Sequence, residues 1–249
     1  TAPLGPGVRN WQAERDGIIR SWQDLEKYPW PKVSQVDFSG MDRAAKLAPE
    51  GMMIIPNTAG VFEHTSWLMG VESFCYALMD NRDLVAEVFR RVGQFLLQLH
   101  SALAQMEWVG ALWLGDDMGF NTGTFISPND LREFVFTWHR RIAQVAHDHD
   151  LPFILHSCGN LEEILPDLVN NVGINAFHSL PPGIYDIAQL KAQYGDRIAL
   201  IGNVDVDLLA RGTAEQVREW VRNLIGTAAP GGGLAVGSSN SVTNYCKLE

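Results

Sequence analysis

The sequence predicts a parallel α/β barrel, a (β/α)8 fold, on three observations. Short apolar runs of strand length recur along the chain. Amphipathic stretches of helical period separate them, and each run ends in a small polar cluster. The runs are Met52–Ile55, Ala111–Leu114, Phe153–Leu155, Ile174–Phe177, Ile198–Ile201 and Leu234–Val236. In a parallel barrel every strand ends on the same rim, so the clusters that follow would converge on one mouth. They contain Asn57, Asp116, Asp117, His156, Cys158, His178, Ser179, Asn203, Asp205, Ser239 and Asn240.

Residues 1–50 are rich in Pro, Gly and polar side chains and read as a lead-in segment, with short helical hints around Gln12–Leu25. Residues 51–249 read as the barrel domain, one domain overall. Asn81–Met106 carries Leu84, Val85, Val88, Phe89, Val92, Phe95 and Leu96 at three-to-four spacing, the pattern of a long helix with one buried face. Ser127-Pro128-Asn129-Asp130 has the makings of a helix start: a hydroxyl for an orphan N–H, Pro at the first helical position and an acid in the first turn. That helix is expected to reach about His149. Further helices are expected over Leu161–Val172, Tyr185–Tyr194 and Thr213–Ala228, the last opened by the capping-box spacing Thr213-Ala214-Glu215-Gln216. Six strands are counted where a closed barrel has eight. The expectation is therefore a barrel truncated at its N- and C-terminal ends. An open doubly wound sheet is the structural alternative, but no Gly-x-Gly-x-x-Gly follows any strand.

Composition narrows the function classes. With 46% hydrophobic and 19% charged residues, the chain has the makeup of a globular domain. A formal charge of −10, with Lys and Arg scattered, argues against a nucleic-acid partner. Val92–Leu114, the longest weakly charged stretch, is broken by Gln94, His100, Gln105, Glu107 and Gly110, so no membrane span is expected. The start shows no signal-peptide pattern, and three Cys make no disulfide framework; a reducing cytoplasm is the expected compartment.

His156-Ser157-Cys158 is the sharpest chemical signal. Residues i and i+2 of a strand point the same way, so imidazole and thiol can share one target, and both suit a zinc-like ion. A buried small Cys beside a hydrogen-bonded His is the plain structural reading. For Asp116-Asp117, strand alternation points one carboxylate inward, as a general base, a ligand or a partner that fixes a His tautomer, and the other outward; an Asx turn or helix cap in the Gly119–Thr124 loop is the plain structural reading. His178-Ser179 repeats the strand-end His one strand later. Asn203 and Asp205 either orient substrate or shape a turn. Ser239 and Asn240 read as substrate-binding, because no hydrolase elbow accompanies them. Glu63 and His64 rank lower, and Cys75, like most aromatics, reads as core packing.

Leu155-His156-Ser157-Cys158-Gly159-Asn160, with Ala199–Asp205, Val236–Ser241 and Ile55–Gly60, resembles the uroporphyrinogen decarboxylase superfamily over roughly residues 15–245. That superfamily joins a decarboxylase of haem biosynthesis to zinc-dependent, corrinoid-linked methyltransferases, all on a (β/α)8 barrel. The resemblance implies that His156 and Cys158 match the first two zinc ligands of the methyltransferases. Ser238 or Ser239 stands where their second Cys belongs, and Cys246 lies beyond the strand. Asp116, Asp117 and His178 are then the other candidates for the third ligand. The decarboxylase branch is disfavoured, since the visible rim pairs two carboxylates with no Arg or Lys, and Val61–Trp67 lacks the Tyr of that branch.

The expected function is methyl transfer between a corrinoid on a partner protein and a thiol or other small acceptor, with His156, Cys158, Asp117 and His178 catalytic. Asn57, Asp116, Ser179, Asn203, Asp205, Ser239 and Asn240 would bind substrate. Zinc on His156 and Cys158 and the corrinoid are the implied cofactors. One alternative is metal-free acid–base decarboxylation of a tetrapyrrole or small aromatic carboxylate. The other is a non-catalytic corrinoid- or porphyrin-binding barrel.

Overall fold

The structure is a computed structural model that describes residues 16–242 and Cys246. Its strands are β1 (Asn57–Ala59), β2 (Leu112–Gly115), β3 (Gly119–Phe120), β4 (Gly123–Thr124), β5 (Phe153–His156), β6 (Ala176–His178), β7 (Ala199–Val204) and β8 (Leu234–Ser238). Six of them pair in parallel in the order β1-β2-β5-β6-β7-β8, while β3 and β4 form a separate antiparallel hairpin. Strands that pair in chain order, without a reversal, are the mark of a barrel wall rather than of a doubly wound sheet. Among the described residues the wall is an open arc, with β1 and β8 at its two edges.

The helices are α1 (Trp22–Lys27), α2 (Ser39–Leu47), α3 (Val61–Met69), α4 (Val71–Asp80), α5 (Arg82–Ala104), α6 (Pro128–Asp130), α7 (Phe136–Asp148), α8 (Leu165–Asp167), α9 (Ile187–Tyr194), α10 (Val206–Arg211) and α11 (Ala214–Ala228). Several of the expected starts are present. Ser127 accepts the Asp130 N–H ahead of Pro128, and Thr213 and Gln216 complete a reciprocal capping box. Two helices are less regular than the periodicity suggests: single π-turns, Leu131–Val135 and Leu168–Val172, separate or finish the short α-helical pieces.

Alternation along the strands sorts the side chains into two layers. Leu112, Leu114, Phe153, Leu155, Phe177 and Leu200 face the helices and are buried in the main core. Ala111, Ile154 and Ala176, with Trp113, Ala199 and Ile201, form a second, smaller cluster on the other face. The register sets Gly115 beside His156 and His156 beside His178, so both imidazoles extend this inner layer. The lead-in also packs on the barrel. The Gly17 and Ile19 N–H groups bond to the Met69 and Leu68 carbonyls, and Ile19 and Leu25 are fully buried.

The first apolar run is corrected. Met52–Ile55 forms no strand; only Ile54 bridges to Val109, and Met52, Met53 and Ile55 are exposed. Pro56 has no N–H to continue the ladder, and the regular strand begins one residue later, at the edge of the arc. At the other edge Val236 is likewise exposed. No described helix is long and apolar enough to cross a membrane.

Beneath the β1 end lies His100, fully buried on α5. Its Nδ1–H donates to the Leu96 carbonyl at 2.8 Å, and Nε2 accepts from Thr58 Oγ1 at 3.1 Å. Burial pushes its pKa down to about 4, with His139 adding to the effect against the Leu96 hydrogen bond. The unfolded chain therefore binds a proton here between about pH 6.5 and 4 that the folded protein refuses. Stability is expected to fall as pH falls through that window, and to fall less in His100→Gln. Urea unfolding of both proteins at pH 6.5 and 4 checks the difference.

Candidate functional site

The strand alternation that sorts the core also sorts the two carboxylates of Asp116-Asp117. Asp116 follows Leu112 and Leu114 and turns to the helical layer, where it is fully buried. Its oxygens accept the Phe62 and Glu63 N–H groups at the start of α3, at 3.1 and 2.9 Å, and His139 Nε2 at 2.7 Å. Asp117 follows Trp113 and Gly115 to the inner face. Its Oδ1 accepts the Cys158 N–H at 2.7 Å and lies 3.4 Å from His156 Nε2. Cys158 follows Ile154 and His156 to the same side, with Sγ 3.6 Å from His156 Nε2. One ligand atom from each of Asp117, His156 and Cys158 lies within 4.8 Å of the others.

Neighbouring groups orient these three. His178 Nε2 faces the Ser238 carbonyl at 3.2 Å and so carries the proton there. The two Nδ1 atoms of His156 and His178 are 2.5 Å apart, which requires one proton between them. With that proton on His156 Nδ1, the lone pair of His156 Nε2 points toward Cys158 and Asp117. Trp113 lies beneath both imidazoles, its ring centre 6.4 Å from that of His156 and 5.3 Å from that of His178. The Cys158 loop is pinned by buried Tyr185, whose hydroxyl donates to the Gly159 carbonyl and accepts the Leu161 N–H, both at 2.9 Å. Gly159 has φ +88°, and a Cβ there would stand 2.1 Å from the Gly119 carbonyl carbon. This glycine therefore lets the β3–β4 hairpin lie directly on the Cys158 loop.

Against burial, His156 and the hydrogen bond from the Cys158 N–H hold the Asp117 carboxyl below its ordinary value, whereas charge is disfavoured on its neighbours. Burial, then the Asp117 charge, pushes the Cys158 thiol up to about 12, although the Asn240 amide, 3.2 Å from Sγ, works in the other direction. Burial, then the charges of Asp116 and Asp117, pushes Glu63 up to about 8, so that it holds a proton at neutral pH. The His178 ring is shifted down, by burial first and by His156 second.

Several expected substrate contacts are corrected. Asp116 is turned away from the mouth. Ser179 follows Phe177 to the buried side and donates to the Ser239 carbonyl, and Ser239 is itself buried. Asn203 is buried and donates to the Leu180 carbonyl at 3.0 Å, while Asp205 caps α10 by accepting the Asp207 N–H. The side-chain hydrogen bonds of Asp116, Ser179, Asn203 and Asp205 all run to groups of the chain itself. Asn57 is exposed beside Gly115, and Asn240 reaches Cys158. Two further residues stand near these groups. Glu63 is brought beside Asp117 by the start of α3. Cys75, expected in the core, is exposed on α4 and lines a cavity of about 300 Å³ that Asp117 and Cys158 also line. The signal for Glu63 was its place in the first turn after Gly60; Cys75 carried none.

Gly60 admits Asp116 to that turn. A Cβ on Gly60 would stand 2.1 Å from Asp116 Cγ. Gly60→Ala is expected to cost at least about 1–3 kcal/mol, because neither the buried carboxylate nor the helix start can yield without losing hydrogen bonds. Chemical denaturation checks it.

Residues 16–243 match the family model described as uroporphyrinogen decarboxylase (URO-D). No curated protein matches the sequence. Among solved structures, a methyltransferase from Methanosarcina mazei superposes with a TM-score of 0.70 at 19% identity, over 96% of this chain and 67% of that one. Identity that low speaks for the fold alone, and the family match covers nearly the whole chain. The chain belongs to the uroporphyrinogen decarboxylase (URO-D) family.

Proposed function

We propose that this chain transfers a methyl group between a corrinoid carried on a partner protein and a thiol or other small acceptor, with Asp117, His156 and Cys158 holding a zinc ion. The convergence of those three side chains carries the reading. Ligands 2.0–2.3 Å from a tetrahedral zinc stand about 3.3–3.8 Å from one another. The His156–Asp117 and His156–Cys158 separations, 3.4 and 3.6 Å, fall in that range. With the proton on His156 Nδ1, an imidazole lone pair meets a carboxylate and a sulfur, an arrangement that a cation between them relieves. Nitrogen, oxygen and sulfur donors are the set zinc accepts, and three protein ligands leave a fourth position open, as in catalytic sites. Asp117 takes the third place, which the serines at the end of β8 would fill poorly.

A zinc ion held by Asp117, His156 and Cys158 would supply Lewis acidity, favouring the thiolate form of Cys158 and of a thiol acceptor. The chain's own groups do the rest. His178 fixes the His156 tautomer through the proton shared between the rings. Tyr185 and the Gly159 turn hold the Cys158 loop, and the Asn240 amide donates to Sγ. Glu63, protonated at neutral pH, adds no further negative charge. A decarboxylase acting on a tetrapyrrole polycarboxylate would need cations to receive its acids, and among the described residues no Arg or Lys lines the cavity.

Zinc analysis and zinc-edge absorption of protein purified without chelator test the proposal. One equivalent with a single sulfur neighbour is expected. Less than about 0.2 equivalents removes the metal from the reading, and zinc retained unchanged in Asp117→Ala removes Asp117 from the ligand set.

A further inference from the structure

We infer that the cavity beside Cys158 and Asp117 binds an uncharged aromatic ring carried by the small substrate. The inference deepens the methyl-transfer reading and rests on it for the role of the site; the ring's recognition uses side chains outside the metal donors. The cavity is about 300 Å³. An apolar cavity of about 150 Å³ holds benzene, so this one accommodates a single ring with substituents.

The walls define the class of guest. Phe62, Phe74, Phe120, Phe125, Val71 and Ile126 contribute the apolar surface. The aromatic members form a continuous wall. Phe62 stacks on Phe125 at 6.0 Å and 17°, meets Phe74 edge-on at 5.8 Å, and Phe125 leans on Phe120 at 5.8 Å. Phe120 and Phe125, on and just beyond the β3–β4 hairpin, remain 61% and 47% exposed. Two large apolar side chains left in water at the mouth of a cavity are surface that a planar apolar guest would cover. Offset-stacked and edge-on contacts with such a guest are both open to this wall.

Charge excludes other guests. Among the described residues no Arg or Lys lines the cavity and Asp117 is its one charged lining residue, so a sulfonate or carboxylate would meet repulsion with no counter-charge from them. With two anionic donors, Asp117 and the Cys158 thiolate, balancing a divalent zinc, a cationic guest would gain little there either. Asn121 supplies a polar contact for a hydroxyl, ether or thiol on the ring, while the Ser66 hydroxyl already donates to the Glu63 carbonyl and can only accept.

Calorimetric titration of the purified protein tests this with benzyl alcohol as the uncharged ring, 2-mercaptoethanesulfonate as the anion and tetramethylammonium as the cation. Benzyl alcohol is expected to bind, and the two ions to bind at least tenfold more weakly or not at all. Phe120→Ala should weaken benzyl alcohol about two- to tenfold, the range of one aromatic contact. Cys75→Trp, which fills the rim from an exposed position, should abolish binding, and both variants should keep the zinc content of the wild type. His156→Gln, which loses a metal donor outside the cavity lining, should still bind the ring. Tighter binding of either ion, or ring binding unchanged in both Phe120→Ala and Cys75→Trp, overturns the inference while leaving the metal reading standing. Absence of zinc with ring binding intact overturns the metal reading alone.

Discussion

Cys158→Ala is expected to lose its zinc and to lower methyl transfer by more than the 10- to 100-fold typical of removing an outer-shell partner of a metal ligand. The reason lies in how little the metal-free site favours a thiolate. Burial and the Asp117 charge hold the Cys158 thiol at about 12. The thiolate is then a rare species at pH 7 without a cation beside it. A bound dication reverses that preference, and the sulfur becomes the strongest donor of the three. His178→Phe is the comparison that separates a ligand from its positioner. It removes the ring that fixes the His156 tautomer but touches no donor atom assigned to zinc, so its effect should stay within about 10- to 100-fold and appear in zinc affinity. Zinc content by mass spectrometry, read beside methyl-transfer rate, distinguishes the two. Equal zinc and equal rate in Cys158→Ala and wild type would remove Cys158 from the site.

How much of this was legible beforehand depended on whether the deciding contact was local. Alternation along Phe153–Cys158 is local, and it correctly set His156 and Cys158 on one side. Along Leu112–Asp117 the same rule says that one carboxylate faces each way. Assigning Asp117 to the mouth needed to know which face of β2 meets the helices, and that follows from packing against α5 and α7. The pairing of His156 with His178 needed the register between β5 and β6. The cavity is not legible in the sequence: Phe62 and Phe74 come from helices after β1, and Phe120 and Phe125 from the β3–β4 hairpin and the residue that follows it. Cys75 looked like core because its neighbours Phe74 and Leu78 are; a helix shows different faces at successive positions, and the face carrying Cys75 meets the cavity. Met52–Ile55 misled for the opposite reason, since apolar composition mimics a strand where Pro56 interrupts the ladder.

Asp116→Ala should destabilise the protein by about 3–5 kcal/mol, the cost of breaking a fully buried, hydrogen-bonded carboxylate. Its three hydrogen bonds run from 2.7 to 3.1 Å, and all their donors are inside the structure: the Phe62 and Glu63 N–H groups and His139 Nε2. Removing the acceptor leaves two N–H groups of the α3 start and a buried imidazole N–H without partners, and His139 Nδ1 already has none among the described residues. Asp116→Asn keeps one acceptor oxygen in the same volume and should cost less. The urea midpoint should therefore fall in the order wild type, Asn, Ala, with an unchanged m-value if the fold survives. The same substitution reaches the candidate site without touching it. The start of α3 carries Phe62 into the cavity wall and Glu63 beside Asp117, so loosening that turn should weaken benzyl alcohol binding even where zinc is retained. If Asp116→Ala proves as stable as wild type, the carboxylate does not hold α3 against the barrel, and the position of Glu63 and Phe62 must come from the apolar packing of α3 alone.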